Sequence, residues 1–313
     1  MKIVFLGTSS FAVPALEALA EAHDIALVVT QPDRPAGRGG RLQEPAVKRA
    51  ARDLGLAIDQ PERANREEPV ARIRDAAPDA IVVAAYGQIL KPRLFEIPPL
   101  GTINIHASLL PAYRGAAPIQ WSIVRGETIT GITTFLIDAG MDTGALLLKR
   151  ELKIGPEETA GELEIRLADL GATAILDTLG GLRTETLAAV PQPDEGVSMA
   201  PPLTREDGRI DWSSEAAAVH NLVRGTHPWP GAWTSFGAER IKVHASARTG
   251  IARGAVARGE IALSETQRLL VGCADELIEI TQLQREGRPR VDGRAFLNGL
   301  RDLRRFGVTP EAP

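Results

Sequence analysis

Cysteine is almost absent: Cys273 stands alone in a chain of 313 residues. A lone thiol excludes an internal disulfide framework, and its apolar neighbours Leu269, Leu270 and Val271 favour a buried, inert group over a nucleophile. Long apolar runs are missing as well. The opening Met1-Lys2-Ile3-Val4-Phe5-Leu6-Gly7 is too short for a signal peptide, and nothing later approaches the roughly 20 apolar residues that cross a bilayer. A soluble, cytoplasmic protein without a membrane partner is expected. Neither sign of charge dominates: the net charge of −4 argues against a general nucleic-acid binder. The chain from Arg205 onward holds 16 Lys+Arg against 14 Asp+Glu, or about +2, which leaves 20 against 26 before it, or about −6. A solvated surface explains that bias about as well as a phosphate-binding face. The five histidines, His23, His106, His220, His227 and His244, show no metal-ligand spacing with cysteine or carboxylates, so no metal is expected. His220 and His227, near Trp229, read as packing or interdomain contacts. Finally, Gly7-Thr8-Ser9-Ser10-Phe11-Ala12 sits where a dinucleotide phosphate loop would sit but lacks the second and third glycines of that fingerprint, which disfavours NAD(P).

What is present is enough apolar content, 44%, to bury a substantial core over a length that suggests two domains. Lys2 to Gly7 reads as a buried strand and Phe11 to Ala22 as a helix with Leu16 and Leu19 at helical spacing. Alternation continues with strands at 25–30, 80–85 and 102–106 and helices at 45–54 and 69–76. A helix at 118–124, a β-rich run at 131–137 and an amphipathic helix at 159–178 follow. Apolar strands separated by helices predict an α/β, doubly wound, mostly parallel, Rossmann-like sheet over residues 1–190. Residues 191–204 concentrate proline and polar residues as a linker does. Residues 205–313 open with a helix at 216–224 and continue in short apolar runs at 241–244, 261–263, 269–271 and 277–280, which predicts a small OB-like β-barrel.

The chemically informative stretch is Asn104-Ile105-His106-Ala107-Ser108-Leu109-Leu110-Pro111, at the carboxyl end of an expected strand, where open α/β sheets place their ligand crevices. Side chains two apart share a strand face, so Asn104 and His106 point into one crevice. An amide and an imidazole side by side suit addition to a carbonyl, the amide donating to a developing oxyanion and the ring moving protons, although taken alone such a pair is more often structural. Downstream, Asp138-Ala139-Gly140-Met141-Asp142-Thr143-Gly144 is a glycine-bracketed acidic loop, and a carboxylate brought beside His106 would hold its ring. Read alone, an aspartate in such a turn is usually a turn former.

The run Asn104 to Ile119, with Tyr113-Arg114-Gly115-Ala116-Ala117-Pro118 inside it and Gly140-Met141-Asp142-Thr143-Gly144 beyond, closely resembles the folate-dependent formyltransferases. The resemblance, which spans Gly7 to Gly299, implies that Asn104, His106 and Asp142 are the catalytic trio and that 10-formyltetrahydrofolate is the formyl donor. It implies that Ser108, Leu109, Leu110 and Pro111 line the folate site and that the segment with Gln88, Ile89 and Leu90 contacts the pterin ring. Within the family, Gln31 to Leu42 resembles the tRNA-contacting insertion of members that formylate the methionine of charged initiator methionyl-tRNA, and it brings Arg34, Arg38 and Arg41 as candidate contacts. By composition alone that loop is equally a basic surface loop. Arg285-Glu286-Gly287-Arg288-Pro289-Arg290 adds Arg288 and Arg290 on the presumed barrel. Two positions depart from many relatives: Pro202 replaces a lysine, and Met199 replaces a residue that is often tyrosine, which puts one positive contact in doubt or moves it to Arg205. A formyltransferase acting on a nucleotide-linked amino sugar is one alternative, which would share the trio but not the Gln31 to Leu42 loop; a non-catalytic folate- or RNA-binding protein, which would have no need of the trio, is the other. A monomer is the default expectation.

Overall fold

Four successive apolar residues, Ile3, Val4, Phe5 and Leu6, lose all solvent exposure in the first strand. Unbroken apolar sequence of this kind suits a strand covered on both faces, and such strands belong to parallel sheets flanked by helices. The computed structural model, which describes residues 1–36, 41–262, 267–300 and 305–307, has that arrangement. β1 (Lys2–Gly7) leads into α1 (Val13–Ala22), whose Pro14 falls in the first turn, where a missing N–H costs nothing. The chain continues through β2 (Asp24–Val29), the hairpin of β3 (Arg34–Ala36) and β4 (Arg41–Gln43), α2 (Ala46–Asp53), β5 (Ile58–Asp59), α3 (Glu67–Asp75) and β6 (Ala80–Ala84). Then follow α4 (Pro92–Phe95), β7 (Thr102–His106), α5 (Pro118–Val124), β8 (Ile129–Leu136), β9 (Leu146–Lys153) and α6 (Ala160–Arg183).

The seven-stranded sheet has the order β5-β2-β1-β6-β7-β8-β9. β5 to β7 are parallel, and β8 and β9 add antiparallel strands at one edge. β9 has no counterpart among the expected strands. Half of its sequence LLLKRELK is charged and half is exposed, as suits an edge strand that must not pair further, so it carries no buried-strand pattern. The chain runs outward from β1 to β2 and β5, then resumes at β6 on the other side of β1, so the strand order reverses between β1 and β6. Ligand crevices of such sheets open beyond the carboxyl ends of the strands at that point. The Thr8 hydroxyl bridges the two loops there, donating to the Tyr86 carbonyl at 2.7 Å.

The basic stretch read as a loop is based on a hairpin, with Arg34 opposite Gln43 and Pro35 opposite Leu42. Its base is tied down by Asp33, which accepts from Lys48 at 2.7 Å and from Gln60 at 2.8 Å. Those bonds, Lys48 first, hold the Asp33 carboxyl below the usual carboxylate range. Arg34 is exposed; Arg38 lies outside the described residues, as does the side chain of Arg41.

Two compact units are present. One comprises Met1–Pro118, Ile129–Lys153 and Glu164–Ala200; the other comprises Ile119–Thr128, Ile154–Leu163 and Pro201–Pro313. Residues 191–200, read from composition as linker, are bonded to the first unit. Arg114 donates its N–H to the Ser198 carbonyl at 2.8 Å, Ala200 donates to the Arg114 carbonyl at 2.7 Å, and Leu146 and Val190 exchange backbone bonds.

In the second unit, α7 (Ala216–Gly225) precedes β10 (Ala232–Phe236), β11 (Glu239–Ala252), β12 (Ile261–Ala262), β13 (Leu270–Gly272), β14 (Glu276–Arg285), β15 (Arg290–Asp292) and α8 (Gly293–Asn298). The strand path β10-β11-β14-β13-β12 is antiparallel throughout, with β15 added to β14. Its two ends are joined by residues 305–307: Phe306 donates its N–H to Gly259 and Gly307 donates to Ser235, both at 2.7 Å. The sheet therefore curls into a small barrel around Trp212, Phe236, Phe296 and Phe306. Phe306 is 2% exposed and lies within 6.0 Å, ring centre to ring centre, of each of the other three. Phe306→Ala is expected to cost about 3–5 kcal/mol through the cavity it leaves, measured as a shifted denaturant midpoint.

Candidate active site

β7 lies between parallel β6 and antiparallel β8, with Asn104 opposite Val83 on one side and Phe135 on the other. Alternation places Thr102, Asn104 and His106 on one face and Ile103 and Ile105 on the other. Thr102 spends its hydroxyl inside the protein, donating to the Phe95 carbonyl at 2.8 Å. Asn104 does not: it is half-buried, and among the described residues nothing hydrogen-bonds its side-chain amide. A polar group held by a rigid strand without an internal partner is available to a ligand.

His106 is 6% exposed and is held in two ways. Its Nε2 lies 2.9 Å from the Tyr113 carbonyl oxygen, and Phe135 packs edge-on at 6.3 Å between ring centres. A carbonyl only accepts, so Nε2 carries the hydrogen and, in the neutral ring, Nδ1 keeps its lone pair. Nδ1 faces the Asp142 carboxylate, with Oδ2 3.7 Å away. That distance is too long for a hydrogen bond but close enough for strong attraction once Nδ1 is protonated. The expected carboxylate is thus beside His106: the Tyr113 carbonyl sets the ring from one side, and the Asp142 carboxylate stands within ion-pair distance of its other nitrogen.

The chain after β7 must wind back to bring that carbonyl to the ring. Tyr113 adopts φ 61° and Gly115 φ 120°. A Cβ at Gly115 would lie 2.6 Å from the Ala200 carbonyl oxygen, so only glycine fits there. The loop is braced from below: Ser108 Oγ donates to the Ala112 carbonyl at 2.6 Å, and Thr133 Oγ1 donates to the Ser108 carbonyl at 2.6 Å while accepting from the Leu110 N–H at 3.1 Å. Asp142, at φ 53°, turns its carboxylate inward, and Oδ2 accepts the Gly115 N–H at 2.8 Å. Asp138 sets the turn before it, accepting from Gly140 N–H and Thr143 Oγ1. At Gly144 a Cβ would sit 1.7 Å from the Leu136 carbonyl oxygen, which explains the second glycine of the bracket.

The residues expected to line a folate site fall into two kinds. Ser108 and Leu110 are wholly buried, with the Ser108 hydroxyl committed to the loop; Pro111 is buried and Leu109 half-buried. Gln88 accepts from the Ala64 N–H at 2.9 Å and donates to the Glu62 carbonyl at 3.3 Å, and Leu90 belongs to the core. Ile89 is 80% exposed, and Met141, next to Asp142, is 57% exposed.

Of the basic candidates on the barrel, Arg290 donates to His244 Nδ1 at 3.0 Å, while His244 Nε2 faces the Gln284 side-chain oxygen at 3.1 Å. Burial foremost, with the nearby Arg290 and Lys242 charges, pushes the His244 pKa down despite the Gln284 bond. Arg285 is paired with Glu239 at 2.5 Å. Arg288 is exposed, and among the described residues its side chain has no partner. Sequence reasoning missed Tyr113 and Gly115 as site residues because each contributes a backbone group, which has no side-chain signature.

Residues 1–179 match the formyl transferase family and residues 202–301 match the formyl transferase C-terminal domain. The chain belongs to the formyl transferase family. Its curated relatives include the methionyl-tRNA formyltransferase of Solibacter usitatus (strain Ellin6076), 51% identical over 302 residues, or 96% of each chain. The methionyl-tRNA formyltransferase of Ruminiclostridium cellulolyticum is 46% identical over 301 residues, again 96% of each. Among solved structures, an N-formyltransferase from Helicobacter canadensis in complex with folinic acid and dTDP-3-aminofucose has a TM-score of 0.67 at 18% identity, covering 91% of this chain and 99% of that one. HypX from Aquifex aeolicus in complex with tetrahydrofolic acid has a TM-score of 0.62 at 16% identity, covering 96% of this chain and 47% of that one. Likeness at that level of identity is a likeness of fold.

Proposed function

We propose that this chain transfers the formyl group of 10-formyltetrahydrofolate to the α-amino group of methionine on initiator tRNA. The observation that carries the substrate is the 46–51% identity to methionyl-tRNA formyltransferases, maintained over 96% of both chains and therefore through both units. The solved sugar N-formyltransferases stand at 18–20% identity and share the fold.

The geometry supports the chemistry. As the amine nitrogen bonds to the formyl carbon, the carbonyl oxygen gains charge, and the Asn104 amide, without a partner among the described residues, donates to it. The amine sheds a proton to His106 Nδ1, the ring nitrogen whose lone pair is free. The resulting imidazolium has one N–H on the Tyr113 carbonyl and the other facing the Asp142 carboxylate, so its charge forms where a counter-charge already stands. The same proton then passes to the folate nitrogen as the carbon–nitrogen bond to the donor breaks. Ile89 and Met141 offer the apolar cover for the pterin, and the Arg34, Arg38, Arg41, Arg288 and Arg290 side chains are the candidates for tRNA phosphates.

The test is transfer of labelled formyl from 10-formyltetrahydrofolate to methionyl initiator tRNA, with uncharged tRNA and an amino-sugar nucleotide as comparison acceptors. Label on the charged tRNA alone supports the reading; label on the sugar overturns the acceptor. Arg34→Ala is expected to weaken tRNA binding across sequences and to lower the slope of log K against log salt by about one unit, read from binding titrations at several salt concentrations.

A further inference from the structure

We propose that Gln192 is a positioning residue for Asp142, holding the peptide that presents the carboxylate to His106 without touching either substrate. The inference rests on the formyl-transfer reading of Asp142. Gln192 lies 50 residues beyond Asp142, yet its Nε2 donates to the Asp142 carbonyl and to the Gly144 carbonyl, each at 2.8 Å. Its Oε1 accepts from Arg114 Nε at 3.1 Å and Nη2 at 2.7 Å. Both donors and both acceptor sites of the amide are therefore used, and the Arg114 fork dictates which end of the amide faces the Asp142 loop.

The loop needs such a hold. Asp142 sits at φ 53°, where residues other than glycine are uncommon, and the neighbouring Met141 side chain faces solvent. Relaxation of that backbone to an ordinary φ would swing the carboxylate away from Nδ1. The feet of the chain carrying Gln192 are fixed, with Val190 bonded to Leu146 and Ser198 to Tyr113, while residues 193–197 between them are exposed. Three consecutive residues thereby hold three others: the Tyr113 carbonyl takes His106, the Arg114 guanidinium takes Gln192, and the Gly115 N–H takes Asp142. Gln192 closes this arrangement from the far side of the Asp142 loop.

Gln192→Glu keeps size and the Arg114 contact but removes both donors and sets a carboxylate against two carbonyl oxygens. The expected result is a kcat for formyl transfer to methionyl initiator tRNA lowered by about 10²-fold, with KM for tRNA and for 10-formyltetrahydrofolate changed by less than about threefold. A residue that acts through Asp142 loses its effect when the carboxylate is already gone. Gln192→Glu is therefore made in the Asp142→Asn background as well, where no further loss is expected. Losses that multiply in the double variant, or a wild-type kcat in Gln192→Glu beside a crippled Asp142→Asn, overturn the inference and leave the role of Asp142 standing. A wild-type kcat in Asp142→Asn removes Asp142 from the chemistry and the inference with it. Gln192→Met, of similar length and without charge, repeats the comparison should the glutamate variant fail to fold.

Discussion

His106→Gln is expected to lower kcat for formyl transfer by about 10²–10⁴ while leaving KM for both substrates close to wild type. The substitution separates the two tasks of the ring. A glutamine amide can still donate a hydrogen bond, as Nε2 does to the Tyr113 carbonyl, but it has no nitrogen lone pair able to take and return a proton. Alanine would be a poorer probe, because the ring is 6% exposed and packs on Phe135, so its deletion also opens a cavity. Single-turnover rates measured beside the thermal midpoint decide the matter. An undiminished chemical rate at unchanged stability would show that the amine loses its proton elsewhere.

Asn104→Ala is expected to lower kcat by about 10²–10³, which corresponds to about 2.7–4 kcal/mol of lost transition-state stabilisation. The folded state has little to lose, since the amide makes no hydrogen bond among the described residues and its strand is held by Val83 and Phe135 on either side. Asn104→Asp is the sharper comparison. It keeps the shape but replaces two donors with a carboxylate, which repels a developing oxyanion, and so it should fall below the alanine variant. Equal rates for Asp and Asn at this position would dismiss the oxyanion role.

The two predictions differ in how far the sequence alone could reach them. Asn104 and His106 were legible as a pair because a strand has a period of two and both residues lie at the carboxyl end of one expected strand. Asp142 was not legible from its own surroundings. A turn-forming aspartate between glycines reads the same whether its carboxylate faces water or a histidine, and only resemblance to a family singled it out. Its partner Gly115 and the Tyr113 carbonyl act through the backbone, and Gln192 acts across 50 residues of chain, so local pattern marks none of them.

The same division runs through the fold. β1 and β6 announce themselves by unbroken apolar runs and β7 by its alternation, whereas β9, an edge strand half of whose residues are charged, does not. Residues 191–200 have the composition of a linker, yet they are stitched to the first unit by bonds whose partners are Arg114 and Ala117. The segments Ile119–Thr128 and Ile154–Leu163 belong to the second unit although they interrupt the first in sequence.

Sequence alone determined the parallel order of strands and helices, the barrel-like texture of the second half and the face shared by Asn104 and His106, because periodicity and apolar content act over a few neighbouring residues. Tertiary structure decided which nitrogen of His106 is free, what stands opposite it and what holds that carboxylate in place. Those are relations between residues far apart in the chain, made by backbone groups and left-handed turns that exist only once the fold has closed.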